Sequence, residues 1–204
     1  MTAPLKVAVF ASGGGTNMQV LIDRVQSGEL NVALDLLVCD KPQAKAVERA
    51  RQAGMDTFLF NPKEYASREA YEREIVAELD RRGIGLVVMA GFMRLVTDEL
   101  VRPYYGRMIN LHPALLPAFK GAHGIEDALE YGVKVTGVTV HYVSLDMDAG
   151  PIIAQQPVEV LEGDTADTLA ARIHAAEHEL LPRVVRLISE GRVALDGRRA
   201  GIRA

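Results

Sequence analysis

The sequence predicts an α/β protein: a Rossmann-like, mostly parallel sheet with helices on both faces. Three observations point there. Short runs rich in Val, Ile, Leu and Phe alternate with amphipathic stretches, those stretches close on glycines, and a glycine-rich loop joins the first run to the first amphipathic stretch. Continuous short apolar runs suit parallel strands buried on both faces, because a strand with one wet face would alternate instead.

The candidate strands are LKVAVFA, VALDLLVC, TFLF, GLVVMAG and RMINLH. Between them, NMQVLIDRVQSG, AKAVERARQAG and SREAYEREIVAELDRRG space apolar residues three and four apart and end on glycine, as helices do. The rhythm is βαβαβ. Thr16 followed by Gln19 fits a capping box on the first helix, and Ser67 is placed to cap the third. After His112 come a loop containing Pro and Gly, a short helix around IEDALEYG, and the strand-like runs VKVTGVTVHYV and PIIAQQPVEV. The segment DTADTLAARIHAAEHELLPRVVRLISEG then reads as a long helix, with Pro182 removing one helical hydrogen bond and marking a place for a bend. The tail ALDGRRAGIRA has little to bury and is expected to be loosely held.

The 204 residues, 49% of them hydrophobic, suit one compact domain. A net charge of -4 with both signs interspersed argues against nucleic-acid or anionic-membrane binding, which would favour a basic face. Cys39 is the only cysteine and lies in the apolar run LDLLVC. That excludes a disulfide framework or thiolate metal cluster and reads as a small buried hydrophobe. The N-terminus has no basic leader, and no run reaches the roughly 18 apolar residues of a membrane span. A soluble, cytoplasmic protein is expected.

FASGGGTN follows the first strand and opens the first helix, where unpaired N–H groups and the helix dipole favour an anion. The competing reading is a tight turn with no ligand. Gly13 and Gly15 supply G-x-G, but Met18 stands where a dinucleotide fingerprint needs its third glycine, and no G-K-[ST] follows. A monophosphate therefore fits better than a dinucleotide or triphosphate.

Asn110 and His112 lie two apart in a strand, so both point from one face, and Pro113 keeps His112 extended. Strand carboxyl ends are where open α/β sheets bind ligands. The alternative is a buried pair satisfied by loop backbone. An amide N–H and an imidazolium N–H can both donate to an oxyanion developing on an attacked carbonyl. A free imidazole, with a reference pKa of about 6.5, is only partly protonated at neutrality, so a carboxylate partner would help. Asp146 and Asp148 in DMDAGP are available, although D-x-G-P is also ordinary turn chemistry.

FASGGGTN, SREAYE, MAGFMRLV, INLHPALLPAFKGAH, VTGVTVHYVSLDMDAGPII, and GDT followed by AEHELLP together resemble the folate-dependent phosphoribosylglycinamide formyltransferase family, from residue 5 to about residue 193. The resemblance implies the formyltransferase fold as a single domain over 1–204. It has a phosphate-binding half of about 1–104, a catalytic and folate-binding half of about 105–193, and a tail over 194–204. It implies transfer of the formyl group of 10-formyltetrahydrofolate, a co-substrate, to the amine of glycinamide ribonucleotide in purine synthesis, with no metal. Asn110 and His112 match the oxyanion-stabilising amide and the general acid, and Asp148 the carboxylate that organises His112 and assists proton transfer. Gly15, Thr16 and Asn17 match the ribonucleotide phosphate loop, and Glu177 a helix segment that contacts the ribonucleotide. Arg68 matches a contact to the acidic tail of the folate. Met93, Arg94, Leu95 and Val96, with Asn110 and the loop Ser144, Leu145, Asp146, Met147 and Asp148, match the folate pocket. Ala114 departs from the family pattern, where many members carry serine, which puts one loop hydrogen bond in doubt.

The implied partners are these two small molecules, with no nucleic acid and no membrane, in a monomer or homodimer. Two rivals share the chemistry. A formyltetrahydrofolate hydrolase would carry a further N-terminal domain, and a methionyl-tRNA formyltransferase a further C-terminal RNA-binding domain. His174, Glu177 and His178 spell H-x-x-E-H, an inverted zinc-protease pattern, but no third ligand accompanies them in the sequence. His141 has a cross-strand role or a supporting one, and His123 has no assignment.

Overall fold

The computed structural model describes residues 3–203. The fold is α/β with a mostly parallel sheet, and its strands follow the order β3-β2-β1-β4-β5-β6-β7. Here β1 is Leu5–Phe10, β2 Val32–Cys39, β3 Asp56–Leu59, β4 Leu86–Met89, β5 Met108–His112, β6 Val135–Tyr142 and β7 Ile152–Glu159. The chain falls into two compact units, Met1–Ile109 and Asn110–Ala204.

In the first unit β1 is flanked by β2 and β4, and β2 by β3, all parallel. Val7, Ala8, Val9 and Phe10 are fully buried, which explains the unbroken apolar run. Helices α1 (Thr16–Gln26), α2 (Lys45–Gln52), α3 (Arg68–Arg82) and α4 (Asp98–Val101) connect the strands. Ser67 caps α3 as expected, its hydroxyl accepting from the Ala70 N–H at 3.3 Å. The capping box expected at Thr16 and Gln19 does not form. Gly15 takes the N-cap position at φ 71°, Thr16 is the first helical residue, and the Gln19 amide turns to Asp23 at 2.8 Å. Helix α4 and a 3-10 turn at Pro62–Glu64 are too short to show a periodic pattern in the sequence. Cys39 is buried, and burial pushes its thiol up, so it behaves as a small inert hydrophobe.

In the second unit β6 pairs antiparallel with β7. Helix α5 is Gly124–Tyr131 and α6 is Ala166–Ser189. Leu169, Ile173, Leu180, Leu181, Val184 and Val185 form the buried stripe of α6, which packs on β6 and β7. The helix is continuous through Pro182 and opens with a reciprocal capping box between Thr165 and Thr168. The tail expected to be loose is instead a hairpin, β8 (Val193–Asp196) with β9 (Arg199–Ile202), and β9 lies against β7. Among the described residues, no helix is long and apolar enough to cross a membrane.

Candidate active site

In the first unit, the glycine loop is clamped by α2. The Ala46 N–H donates to the Gly13 carbonyl at 3.1 Å, and Arg49 Nε donates to the Gly14 carbonyl at 2.9 Å. Gly15 is required twice over: its φ is 71°, and a Cβ there would sit 2.8 Å from Ala46 Cβ. No side-chain hydrogen bond caps α1, and the N-terminal N–H groups of a helix are of the kind that favour an anion.

Met93 and Leu95 present exposed apolar side chains, and Arg68 is exposed at the start of α3. The Arg94 guanidinium pairs with the buried Asp40 carboxylate, Nε to Oδ2 2.7 Å. Ser12 joins them, its hydroxyl donating to Asp40 at 2.5 Å and accepting from the Met93 N–H at 3.0 Å. At the other end of this segment Thr97 donates from its N–H and its hydroxyl to Glu72, which is only 1% exposed. Burial pushes the Glu72 carboxyl up despite these bonds. Neither Ser12 nor Glu72 was singled out in the sequence, because only the folded loop brings them to residues 93–97.

In the second unit, the carboxyl end of β5 carries the expected pair. His112 is 3% exposed and Asn110 half-buried. His112 Nε2 lies 2.8 Å from the Phe119 carbonyl, which can only accept, so Nε2 carries a proton. Its Nδ1 faces Asp148 Oδ2 at 3.5 Å. Asp148 also receives the Gly121 N–H at 2.8 Å and faces the Asn110 amide at 3.5 Å and His141 Nε2 at 3.6 Å. Burial alone would push the Asp148 carboxyl up, but His141, the Gly121 N–H and the nearby His112 ring outweigh it and hold the group below its ordinary value.

His141, undecided from sequence, belongs to this cluster. Its Nδ1 donates to the Tyr142 carbonyl at 2.9 Å, and its Nε2 lies between Asn110 Nδ2 at 3.2 Å and Asp148 Oδ1 at 3.6 Å. Phe119 and Asp148 are the non-glycine residues with positive φ among those described, at 51° and 48°. Both contact His112, so backbone strain gathers where the chemistry would occur.

The loop after His112 is tied down without a hydroxyl at position 114. Thr139 donates to the Ala114 carbonyl at 2.7 Å and accepts from the Leu116 N–H at 3.1 Å. Gly150 fixes the other side, since a Cβ there would meet the Tyr142 carbonyl oxygen at 1.7 Å. Gly150→Ala is therefore expected to lose about 3 kcal/mol of stability, the upper end of overpacking costs, read as a lowered denaturation midpoint. An unchanged midpoint would contradict the close packing of this loop.

Ser144 turns its hydroxyl to the Asp146 carbonyl at 3.1 Å, while Leu145, Asp146 and Met147 are exposed. On α6, Glu177 is buried and pairs with His174 at 2.9 Å, which raises the histidine's pKa. This contact uses two of the three residues of the H-x-x-E-H pattern on each other. Among the described residues no group of three His, Cys, Asp or Glu is placed to hold a metal ion. His123 is exposed at the start of α5.

Comparison with known proteins adds to this geometry. The family described as formyl transferase matches residues 5–185. The phosphoribosylglycinamide formyltransferase of Bacillus subtilis (strain 168) is 46% identical over 181 residues, covering 89% of this chain and 93% of that protein. The trifunctional purine biosynthetic protein adenosine-3 of Homo sapiens is 41% identical over 190 residues, covering 93% of this chain and 19% of that longer protein. The crystal structure of glycinamide ribonucleotide transformylase 1 from Symbiobacterium toebii matches with a TM-score of 0.97 at 41% identity, over 100% of this chain and 96% of that one.

Proposed function

This chain belongs to the formyl transferase family, and from that premise we propose that it moves the formyl group of 10-formyltetrahydrofolate to the amine of glycinamide ribonucleotide in purine synthesis. The observation that carries the reading is the convergence of Asn110, His112 and His141 on the single carboxylate of Asp148.

The amine attacks the formyl carbon, and the carbonyl oxygen becomes an oxyanion. Asn110 Nδ2 lies 3.5 Å from Asp148, short of a strong hydrogen bond, so it retains donor capacity for that oxygen. Protonated His112 supplies the second donor. Its Nε2 proton is held by the Phe119 carbonyl here, so the ring must release that carbonyl, or use its looser Nδ1 edge, to reach a substrate. Contacts of this sort tighten or exchange when substrates arrive. The attacking amine loses a proton and the folate N10 gains one, and Asp148, held ionised by its neighbours, relays it through water. The transfer forms one C–N bond and breaks another, and needs no metal or covalent enzyme intermediate.

The remaining assignments follow the same reading. The turn at Gly15, Thr16 and Asn17 takes the ribonucleotide phosphate, with Glu177 contacting the ribonucleotide. Arg68 meets the acidic tail of the folate. Met93, Arg94, Leu95 and Val96 in the first unit, and Asn110, Ser144, Leu145, Asp146, Met147 and Asp148 in the second, are each assigned to folate binding, Met93, Leu95, Leu145 and Met147 through exposed apolar side chains.

A formyl transfer assay with and without glycinamide ribonucleotide tests the reading. Release of deformylated folate should depend on the acceptor, and the product should be formylglycinamide ribonucleotide. Equal release without acceptor would indicate a hydrolase instead.

A further inference from the structure

Arg198 occupies the second position of the two-residue turn between β8 and β9, where Asp196 pairs with Arg199. Its Nη1 donates to the Ala149 carbonyl at 2.8 Å. Ala149 directly follows Asp148, which sits in the left-handed region at φ 48°. The hairpin that carries Arg198 is itself anchored: β9 lies beside β7, the Arg203 N–H donates to the Arg192 carbonyl at 2.8 Å, and Arg192 Nε donates back to the Arg203 carbonyl at 3.1 Å.

A strained backbone angle on an aspartate persists only where its surroundings over-determine it. Three contacts do so here. The Gly121 N–H holds the carboxylate, Gly150 is wedged against the Tyr142 carbonyl, and Arg198 holds the carbonyl of the residue between them. The first two come from the loop before α5 and the end of β6, whereas the third comes from the C-terminal hairpin. We propose that Arg198 is a positioning residue: through the Ala149 carbonyl, the C-terminal hairpin keeps Asp148 aimed at His112 and His141. The inference rests on the reading of Asp148 as the proton-relay carboxylate.

An exposed arginine bonded to one carbonyl adds little to global stability, so its effect is local. The test uses the full chain with Arg198→Ala and Arg198→Lys. Small misplacements of a reacting group slow turnover steeply. Arg198→Ala is accordingly expected to lower kcat about 3- to 10-fold, with KM for both substrates within about twofold and Tm within about 2 °C. Amide exchange at Gly121, whose N–H binds Asp148, should quicken while α6 exchange stays unchanged. Arg198→Lys, which keeps one donor, should recover most of the loss.

Wild-type kcat together with wild-type Gly121 exchange in Arg198→Ala would overturn the proposal. So would a lowered Tm with α6 protection lost in parallel, since that pattern marks a general structural role. If the wild-type chain shows no acceptor-dependent transfer, the functional reading fails separately, and Gly121 exchange still decides whether Arg198 positions the loop.

Discussion

Asn110→Ala is expected to fold, to bind both substrates and to turn over about 10² to 10³ times more slowly, the usual cost of removing one oxyanion donor, or ~3 to 4 kcal/mol. The amide is placed for that role by β5, whose alternate residue Ile109 is fully buried while Asn110 is half-exposed. Truncation also removes one of the two contacts of buried His141 Nε2, 3.2 Å away, and leaves Asp148 at 3.6 Å. Losing one such hydrogen bond costs about 1 kcal/mol of stability, so Tm should fall slightly while the protein remains folded. Kinetics separate the two effects. Loss of an interaction made only in the transition state lowers kcat and kcat/KM together and leaves KM nearly unchanged. Near-normal turnover in a folded variant would remove Asn110 from the mechanism.

The contrast between Asn110 and Asp148 shows how far the sequence can be read. Two residues apart in an extended strand guarantees a shared face, so Asn110 and His112 were legible from spacing alone. Asp148 was not, because its approach to His112 depends on a left-handed backbone angle and on a glycine pressed against Tyr142. The sequence offered both Asp146 and Asp148, and only the family resemblance singled out Asp148. His141 lay in a visibly alternating strand, but its bond to Asn110 depends on how β6 is placed and on which ring nitrogen Tyr142 engages.

The capping error at Thr16 has a similar cause. Gly15 at φ 71° ends the loop in a conformation that takes over the N-cap, and no polar pattern announces it. The C-terminal hairpin, by contrast, had a signal. Asp-Gly at 196 and 197 is a strong hairpin dipeptide, but the runs VALD and RAGI beside it are only four residues each, too short to announce strands. Their stability comes from β7, an element distant in sequence.

Asp148→Asn should have the larger catalytic effect, a loss of about 10² to 10⁴ in turnover, the range attributed to a positioned general acid or base. The asparagine matches the aspartate in size, and its oxygen can still accept from the Gly121 N–H, so the loop should keep its course. What is lost is the charge facing His112 at 3.5 Å and His141 at 3.6 Å. The folded protein holds the Asp148 carboxyl below its ordinary value, so the ionised group stabilises the fold. By linkage, that contribution is fully present above the unfolded-state carboxylate pKa of about 3.9 and fades as pH falls through the lowered folded value. Wild type should therefore exceed Asp148→Asn in Tm at neutral pH, and the gap should close only in strong acid. The opposite sign, a gap that widens on acidification, would mean that burial dominates and raises the Asp148 carboxyl above its ordinary value. A carboxyl raised far enough to be protonated at neutrality could not accept the amine's proton, so the pH at which the gap changes tests the relay independently of any rate.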